Sequence, residues 1–331
     1  MTLGVTNLVE TLEDGGHRCH VCQWRCELQA GELGRCLMRQ GSEDGIQVLN
    51  HAIVSAAQVA LIEDFRLWHF FPDSSVLALG SWGYAFPNDQ QHGQYARIPD
   101  DPQKQRQLEP ERVALVALER LCRGIIWAYS DPSIAQEYVS DVLRTAKGNS
   151  RYTALVSSGY FTQEALDSFG RYLDGLSIEI RGFDDAAYKL LAGIENWRGI
   201  LDVAERAKKH WQCHIEITTR LHPGVNDTAE QLSGLARWIA DTLGVKTPWH
   251  ILPGDAGAAA AAAVQRARKS AHEAGLLYVY GSDTNQSTEC PKCSAVIIER
   301  SGTRAKAVGM QDGACAVCGE PLEMRTSIFR R

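Results

Sequence analysis

The sequence lacks an excess of positive charge, a long apolar run and a leader-like start. Its 34 Lys and Arg residues face 40 Asp and Glu residues, for a formal net charge of −6. This balance argues against general nucleic-acid binding, which favours a basic face. The first residues, MTLGVTNLVETLEDGG, contain neither a basic region nor an apolar segment, so we expect no secretory leader and a cytoplasmic location. No stretch is apolar for long enough to span a bilayer.

What is present fits an ordinary globular protein. Hydrophobic residues make up 44% of the chain and charged residues 22%, both close to the usual composition of soluble domains. A chain of 331 residues indicates one large domain with attachments, or two domains, and it can bury a substantial core.

Cysteine is the most informative residue type. Eight of the ten cysteines form two groups of four, Cys19, Cys22, Cys26 and Cys36, and then Cys290, Cys293, Cys315 and Cys318. Pairs at C-x2-C spacing in a chain without a leader indicate metal sites in a reducing compartment and not disulfides. Cys122 and Cys213 stand alone, and we interpret them as buried small hydrophobic residues.

The first group lies in the segment RCHVCQWRCELQAGELGRCLMR, residues 18–39. Four thiolates in so short a segment can close a tetrahedral zinc shell, with His17 or His20 as substitutes for one ligand. Four thiolates also suit an auxiliary iron–sulfur cluster, although we favour zinc. Free thiols in a small hydrophobic knot are the third reading, which we disfavour because a short polar segment needs a staple to fold.

The second group predicts a zinc ribbon. The two C-x2-C pairs, CPKC and CAVC, are separated by 21 residues, and each pair can form a tight turn that gives two thiolates to one ion. An iron centre of rubredoxin type and an unmetallated fold are the alternatives.

Between the two groups, short apolar runs alternate with longer amphipathic stretches, which indicates repeated β-α units. Candidate strands are 75–80, 124–129, 152–157, 175–181, 212–219, 248–252 and 276–280, and candidate helices are 109–122, 134–147, 162–172, 184–192, 196–210, 227–243 and 257–274. The first strand ends at a Gly80-Ser81-Trp82-Gly83 turn, where a β/α fold places its chemistry. The following residues, 84–108, are polar and proline-containing, which is typical of a flexible or partner-ordered loop.

Several segments in a fixed order resemble one known family. They are IWAYSDPSI (126–134), VSSGYFT (156–162), SIEIRGFD (177–184), ITTRLHPGVND (217–227) and PWH (248–250), with the cysteine groups at either end. Together they resemble the radical S-adenosylmethionine (SAM) member of the AmmeMemoRadiSam system, a relative of pyruvate formate-lyase activating enzymes. The resemblance implies an α/β fold with a partial (β/α)6 TIM-type barrel over 71–285. The four-cysteine metal module and lead-in would occupy 1–70, and the zinc ribbon 286–331.

The resemblance also implies a residual SAM-like pocket at the barrel mouth. Its positions here are Asp131, Ser157, Ser158, Gly159, Glu179, Arg181 and His250. Glu179 and Arg181 keep the charge sign of the family's aspartate and lysine but change length and geometry. The alternative reading is a satisfied polar network that binds nothing.

The family's C-x3-C-x2-C motif, which holds a catalytic [4Fe–4S] cluster, should fall at Tyr84, Asn88 and Gln91. None of the three is a cysteine. Their side chains cannot supply thiolate ligands, and His92 alone does not make a site. We therefore expect no barrel cluster, no catalytic residue and little affinity for SAM.

Three hypotheses follow. The first is a non-catalytic scaffold or subunit with two structural zinc ions, which docks a protein partner through loop 84–108. The second is an enzyme whose iron–sulfur cluster has moved to Cys19, Cys22 and Cys26. The third is a cluster-free barrel that binds SAM, a nucleotide or another small molecule.

Overall fold

The structure is a computed structural model that describes residues 4–254, 256–302 and 304–328. Six short strands begin the chain: β1 (Gly4–Val5), β2 (Val9–Thr11), β3 (His17–Cys19), β4 (Glu27–Leu28), β5 (Arg39–Ser42) and β6 (Gly45–Val48). They form two three-stranded sheets, in the orders β1-β6-β5 and β2-β3-β4. These small sheets carry the first cysteine group.

In the described part of the chain, the central region contains ten strands and eight helices. The strands are β7 (Ile53–Val54), β8 (Ala56–Leu61), β9 (Ser75–Gly80), β10 (Arg106–Gln107), β11 (Gly124–Trp127), β12 (Tyr152–Ser157), β13 (Gly175–Glu179), β14 (His214–Leu221), β15 (Trp249–Pro253) and β16 (Val279–Tyr280). The helices are α1 (Pro87–His92), α2 (Pro110–Glu119), α3 (Gln136–Gly148), α4 (Gln163–Phe169), α5 (Asp185–Leu191), α6 (Arg198–Lys209), α7 (Ala229–Trp238) and α8 (Ala258–Glu273). Single 3-10 turns lie at Ile62–Phe65, Pro102–Lys104 and Gly170–Tyr172, and a π-helical turn, Ile239–Leu243, continues α7.

One eight-stranded sheet organises this region. Its order is β16-β15-β14-β13-β12-β11-β9-β8, with β8 antiparallel to β9 and the other neighbours parallel. Sequential parallel strands joined by helices are the arrangement that the β-α periodicity predicts. Each of the seven candidate strands overlaps a parallel strand, so among the described residues the sheet has one parallel strand more than the six implied by the family resemblance.

Helix packing explains why the amphipathic stretches fold as they do. Helix α6 buries Ile200, Val203, Ala204 and Ala207, which recur at helical spacing. The alanine-rich helix α8 likewise buries one face, at Ala260, Ala263, Ala267 and Ala271, and packs against α7 and β15. Small side chains allow this close approach, so the alanine run is an anchored layer of the fold.

A buried ion pair fastens the N-terminal sheets to the central region. The guanidinium of Arg39, on β5, donates two hydrogen bonds of 2.8 Å to the carboxylate of Glu137, in the first turn of α3. The side chains are only 3% and 14% exposed. Burial would raise the pKa of Glu137, but the charge of Arg39 outweighs it and holds that pKa below its ordinary value.

The C-terminal region contains five strands: β17 (Thr288–Glu289), β18 (Val296–Ser301), β19 (Arg304–Ala307), β20 (Met310–Gln311) and β21 (Ala314–Cys315). Arg300, on β18, donates a 2.9 Å hydrogen bond to the Trp68 carbonyl and lies over the Trp68 ring. The chain then returns to the base of the main sheet, where Arg325 exchanges backbone hydrogen bonds with His69 and Phe71. Among the described residues, no helix has the length and apolar character needed to cross a membrane.

Candidate functional site

A cavity of about 420 Å³ opens at the carboxyl ends of the parallel strands, where β/α folds usually carry their sites. Its lining residues are Asp64, Phe65, Arg66, Tyr84, Asp89, Ala128, Tyr129, Ser130, Asp131, Val156, Ser157, Ser158, Ser177, Glu179, Arg181, Thr218, Arg220 and Leu252. The lining includes five of the seven predicted pocket residues and one of the three positions where the resemblance places cysteine. None of the lining residues that the structure describes is a cysteine.

Arg181 is the most strongly paired charge in the cavity. Its guanidinium donates two hydrogen bonds of 2.8 Å to Asp89, on α1, and one of 3.1 Å to Glu179. Burial would lower the pKa of Arg181, but these two carboxylates raise it above its ordinary value. The segment after the first parallel strand therefore sends a carboxylate into the cavity, where it neutralises the arginine.

Both carboxylate oxygens of Asp131 accept hydrogen bonds, one set from its own loop and the other from the loop after β12. One carboxylate oxygen accepts from the backbone N–H and hydroxyl of Ser133, at 3.0 and 2.7 Å. The other accepts from the N–H of Ser158, at 3.2 Å, and from its hydroxyl. The hydroxyl of Ser157 accepts from the N–H of Gly159 at 2.9 Å. These contacts agree with the alternative of a satisfied polar network, although Asp131 and Ser158 both line the cavity.

Two predicted pocket residues lie outside the lining. Gly159 has φ of +73°, and a Cβ there would lie 2.6 Å from Ile178 and 2.9 Å from Ile200, so its place is explained by packing and backbone conformation. His250 is fully buried on β15, and its Nε2 contacts the Glu216 carboxylate at 2.7 Å. Every second side chain of a strand points to the same face. His250 therefore lies on the same face of β15 as Leu252, which lines the cavity, but one layer deeper.

Sequence reasoning missed the buried carboxylate at the centre of that layer. Glu216 is 0% exposed and accepts hydrogen bonds from the His69 N–H at 2.7 Å, from His214 at 2.9 Å and from His250. Burial would raise the pKa of Glu216, but the histidine hydrogen bonds hold it below its ordinary value. The available signal was the alternation of His214 and Glu216 on one strand face.

The four C-terminal cysteines have the geometry of a metal site. Their sulfur atoms all lie within 4.8 Å of one another, with 3.6 Å between Cys290 and Cys318 and 3.7 Å between Cys293 and Cys315. A tetrahedral ion with metal–sulfur bonds of about 2.3 Å requires sulfur separations of about 3.8 Å. Each C-x2-C pair forms an equivalent turn, in which the first cysteine carbonyl accepts a 2.9 Å backbone hydrogen bond.

The N-terminal cysteines lie near one another but are arranged less tightly. Among the residues that the structure describes, they are not a group whose ligand atoms all lie within 4.8 Å. Cys19 and Cys26 share a 2.8 Å backbone hydrogen bond. Burial raises the pKa of Cys36 to about 11. Burial also raises the pKa of Cys22 well above its ordinary value, and the charges of Cys19 and Cys36 add to the effect. A metal site at these four cysteines stays a prediction.

Residues 84–108 contain more regular structure than the loop we expected. They include α1, one 3-10 turn and β10, which pairs with β7. Asn88 donates a 2.8 Å hydrogen bond to the Leu190 carbonyl, and Gln90 donates to the carbonyls of Tyr84 and Arg35. Tyr84 is half-buried at the cavity and Gln91 is exposed. The helical part of this segment is therefore held in place by contacts within the chain, since its polar side chains donate hydrogen bonds to neighbouring carbonyl groups.

Comparison with known proteins finds a family model that matches part of the chain. The radical SAM superfamily model matches residues 90–239. Over these residues the chain resembles the radical SAM superfamily. It is 28% identical over 331 residues to an uncharacterized protein of Methanocaldococcus jannaschii, which covers 95% of this chain and 97% of that relative.

Two activating enzymes are also similar to this chain. The isethionate sulfite-lyase activating enzyme of Oleidesulfovibrio alaskensis is 23% identical over 130 residues, or 39% of this chain and 41% of that enzyme. A solved domain of the pyruvate-formate lyase-activating enzyme of Bacteroides vulgatus has 17% identity and a TM-score of 0.42, and the match covers 48% of this chain and 99% of that domain. The superfamily match and the activating-enzyme relative confirm the coarser part of the sequence resemblance.

The similarity to the radical SAM superfamily implies SAM and an iron–sulfur cluster, and the C-terminal cysteine group is a second place where a metal ion could bind. A cluster in the cavity needs thiolate ligands, and the lining residues offer carboxylates, hydroxyls, a tyrosine and guanidinium groups instead. The cavity therefore does not fit a cluster. The C-terminal cysteine group does fit a tetrahedral metal ion.

Proposed function

We propose that this chain is a radical SAM-fold homologue without a barrel cluster, which acts as a non-catalytic zinc-binding scaffold or subunit of a larger protein assembly in the cytoplasm. In this proposal a partial barrel stands between an N-terminal four-cysteine module and a C-terminal zinc ribbon. The observation that carries it is the lining of the cavity, which offers no thiolate to hold iron.

The contact of Asp89 with Arg181 supports the same conclusion. A cluster-binding segment has to present soft ligands to the cavity, whereas α1 presents a carboxylate that is paired with an arginine of the opposite wall. A bidentate arginine–carboxylate pair fixes both partners. We infer that the segment has taken a structural role in place of a redox role.

Zinc is the ion that we propose for the C-terminal group. The sulfur separations of 3.6 and 3.7 Å suit zinc–thiolate bonds. Rubredoxin-type iron has the same ligands, so metal analysis decides between them. We propose a second zinc ion for Cys19, Cys22, Cys26 and Cys36.

A protein partner is proposed to dock on residues 84–108, which join the cavity to the outer surface. Residues 99–107 of this segment are mostly exposed and polar, and none of them is among the described lining residues of the cavity. Removing residues 99–105 should abolish co-purification of a partner from the native organism while leaving the metal content unchanged. Loss of zinc on the same deletion would contradict a purely docking role.

The deciding experiment is the metal content of anaerobically reconstituted protein. We expect two zinc ions per chain, no iron, no absorption near 400 nm and no 5′-deoxyadenosine from SAM under reduction. A SAM-cleaving iron–sulfur species would overturn the proposal. Calorimetry with SAM tests the residual pocket separately, and a heat of binding would support a SAM-binding sensor or enzyme instead.

The second candidate function is a radical SAM enzyme with a relocated cluster at Cys19, Cys22 and Cys26. One contact favours it, because the N-terminal module adjoins the turn before the cavity: a Cβ on Gly83 would lie 3.3 Å from the Cys36 carbonyl oxygen. None of these cysteines lines the cavity, however. Iron and deoxyadenosine production that are both lost in Cys22→Ser would establish this candidate.

A further inference from the structure

Two further arginines, Arg66 and Arg220, line the cavity beside Arg181. Arg220 is the penultimate residue of β14 and lies beside Leu252 of β15 in the strand register. Arg66 follows the 3-10 turn 62–65 and is half-buried, with its guanidinium 5.6 Å from the Trp68 ring centre. Both line the same cavity.

These two guanidinium groups differ from that of Arg181 in their partners. Among the described residues, Arg181 has ion pairs with Asp89 and Glu179, but no carboxylate lies within 4.0 Å of the guanidinium nitrogens of Arg66 or Arg220. Arg220 donates one long hydrogen bond of 3.4 Å, to the Pro253 carbonyl.

The electrostatic surroundings of Arg66 show the same imbalance. Burial lowers the pKa of Arg66, the charge of Arg220 lowers it further, and Asp64 opposes this only in part. Arg66 and Arg220 are like charges that face one partly enclosed space, so they repel each other. Among the described residues, the half-buried Arg66 also lacks the paired anion that normally accompanies a buried cation. An anion between the two arginines would relieve both effects.

The wall beside the arginines offers hydroxyl groups. The Thr218 hydroxyl is buried and has no hydrogen-bond partner among the described residues. Ser177 is 2% exposed and lines the same cavity from the neighbouring strand β13. Strand register sets Glu179 opposite Thr218, so these groups share one inward face. Buried hydroxyls of this kind pair with the hydroxyls of a bound molecule.

We propose that the cavity binds a small hydroxylated metabolite whose phosphate or carboxylate group lies between Arg66 and Arg220. Its hydroxyl groups meet Thr218 and Ser177. The cavity volume of about 420 Å³ falls within the range of about 300–1,000 Å³ for small-molecule sites. This inference rests on the proposed cluster-free barrel only in that no cluster occupies the space.

Calorimetry on the full-length protein tests the proposal with three probes: ribose 5-phosphate, gluconate and neutral ribose. We expect binding of at least one of the two anions and no binding of ribose. A phosphate preference and a carboxylate preference appear as a difference between the first two titrations. Loss of one charge-assisted contact should weaken the affinity for the anion by about tenfold or more.

The variants are Arg220→Gln and Arg66→Asn, since asparagine tolerates the left-handed φ of +56° at residue 66. Arg237→Gln, an exposed arginine on α7, is the matched control and should bind as the wild type does. Because Arg220 is exposed, the Arg220→Gln variant still tests the proposal if the Arg66→Asn variant does not fold.

The proposal is overturned if neither anion binds at millimolar concentration, if ribose binds equally well, or if both cavity variants match the Arg237→Gln control. Iron is measured in the same preparation. A finding of iron would count against the proposed function, whereas the titrations report on the anion site by themselves.

Discussion

The Arg39–Glu137 ion pair allows a test of how the N-terminal module is attached. Its two hydrogen bonds are 2.8 Å long and its side chains are 3% and 14% exposed. Removal of one partner from a buried pair leaves the other charge unpaired, which costs about 3–5 kcal/mol. We expect Glu137→Gln to lower the free energy of unfolding by that amount, since arginine cannot lose its proton inside the protein.

The partner substitution, Arg39→Met, should respond differently to pH. It leaves a buried carboxylate that can be protonated, so its deficit should be large at pH 7 and smaller at pH 5. In the wild type, acid weakens the ion pair instead. Because the pKa of Glu137 is held low, the pair's contribution to stability is present above the ordinary glutamate pKa and is lost as the pH falls through the pKa of Glu137 in the folded protein.

Urea unfolding at both pH values measures these effects, with tryptophan fluorescence for the whole chain and hydrogen exchange for residues 39–48. The double variant should cost less than the sum of the two single ones, because it leaves no unpaired charge. Additive costs, or a Glu137→Gln deficit below about 1 kcal/mol, would refute the view that this pair is a buried, coupled attachment.

Three further predictions concern other parts of the fold. Glu216→Gln should lower the free energy of unfolding by about 1–3 kcal/mol at pH 7 and by less at pH 4. The reason is that the pKa of this carboxylate is held low, so its contribution to stability is lost progressively on acidification. Urea unfolding midpoints at the two pH values check this. Gly80→Ala would set a Cβ 2.5 Å from that of Tyr129 and should cost about 1–3 kcal/mol, whereas Gly148→Ala, with nothing within 4 Å, should be neutral or stabilising in a thermal melt. Cys315→Ser should remove one zinc ion per chain by mass spectrometry and lower Tm, and unchanged zinc would contradict the tetrahedral site.

Local patterns predicted the elements of the fold well. The apolar runs at 75–80 and 152–157 are β9 and β12, residue for residue, because a buried parallel strand needs a continuous apolar run. The clustering of Cys290, Cys293, Cys315 and Cys318 was predictable from their spacing, since two C-x2-C turns can bring four thiolates together. Asp131 and Ser158 were placed at the cavity by resemblance, and both line it.

Long-range pairing was not predictable in the same way. Asp89 and Arg181 are far apart in the sequence, and no local pattern says that α1 turns its carboxylate toward β13. His250 was assigned to the cavity, but it binds Glu216 one layer below, because the depth of a side chain depends on how the strands are staggered. Arg66 attracted no attention as a sequence feature, since its role depends on which residues surround it.

The sequence by itself determined the β-α order, the two cysteine groups and the absence of cysteine from positions 84, 88 and 91. These are properties of composition and spacing, which hold before the chain folds. Only the tertiary structure decided which charges are paired. It joined Asp89 to Arg181, buried Glu216 among histidines and left Arg66 and Arg220 without a carboxylate partner among the described residues. The physical reason is that Coulomb energy and desolvation depend on distance and burial, which distant segments fix only by packing together.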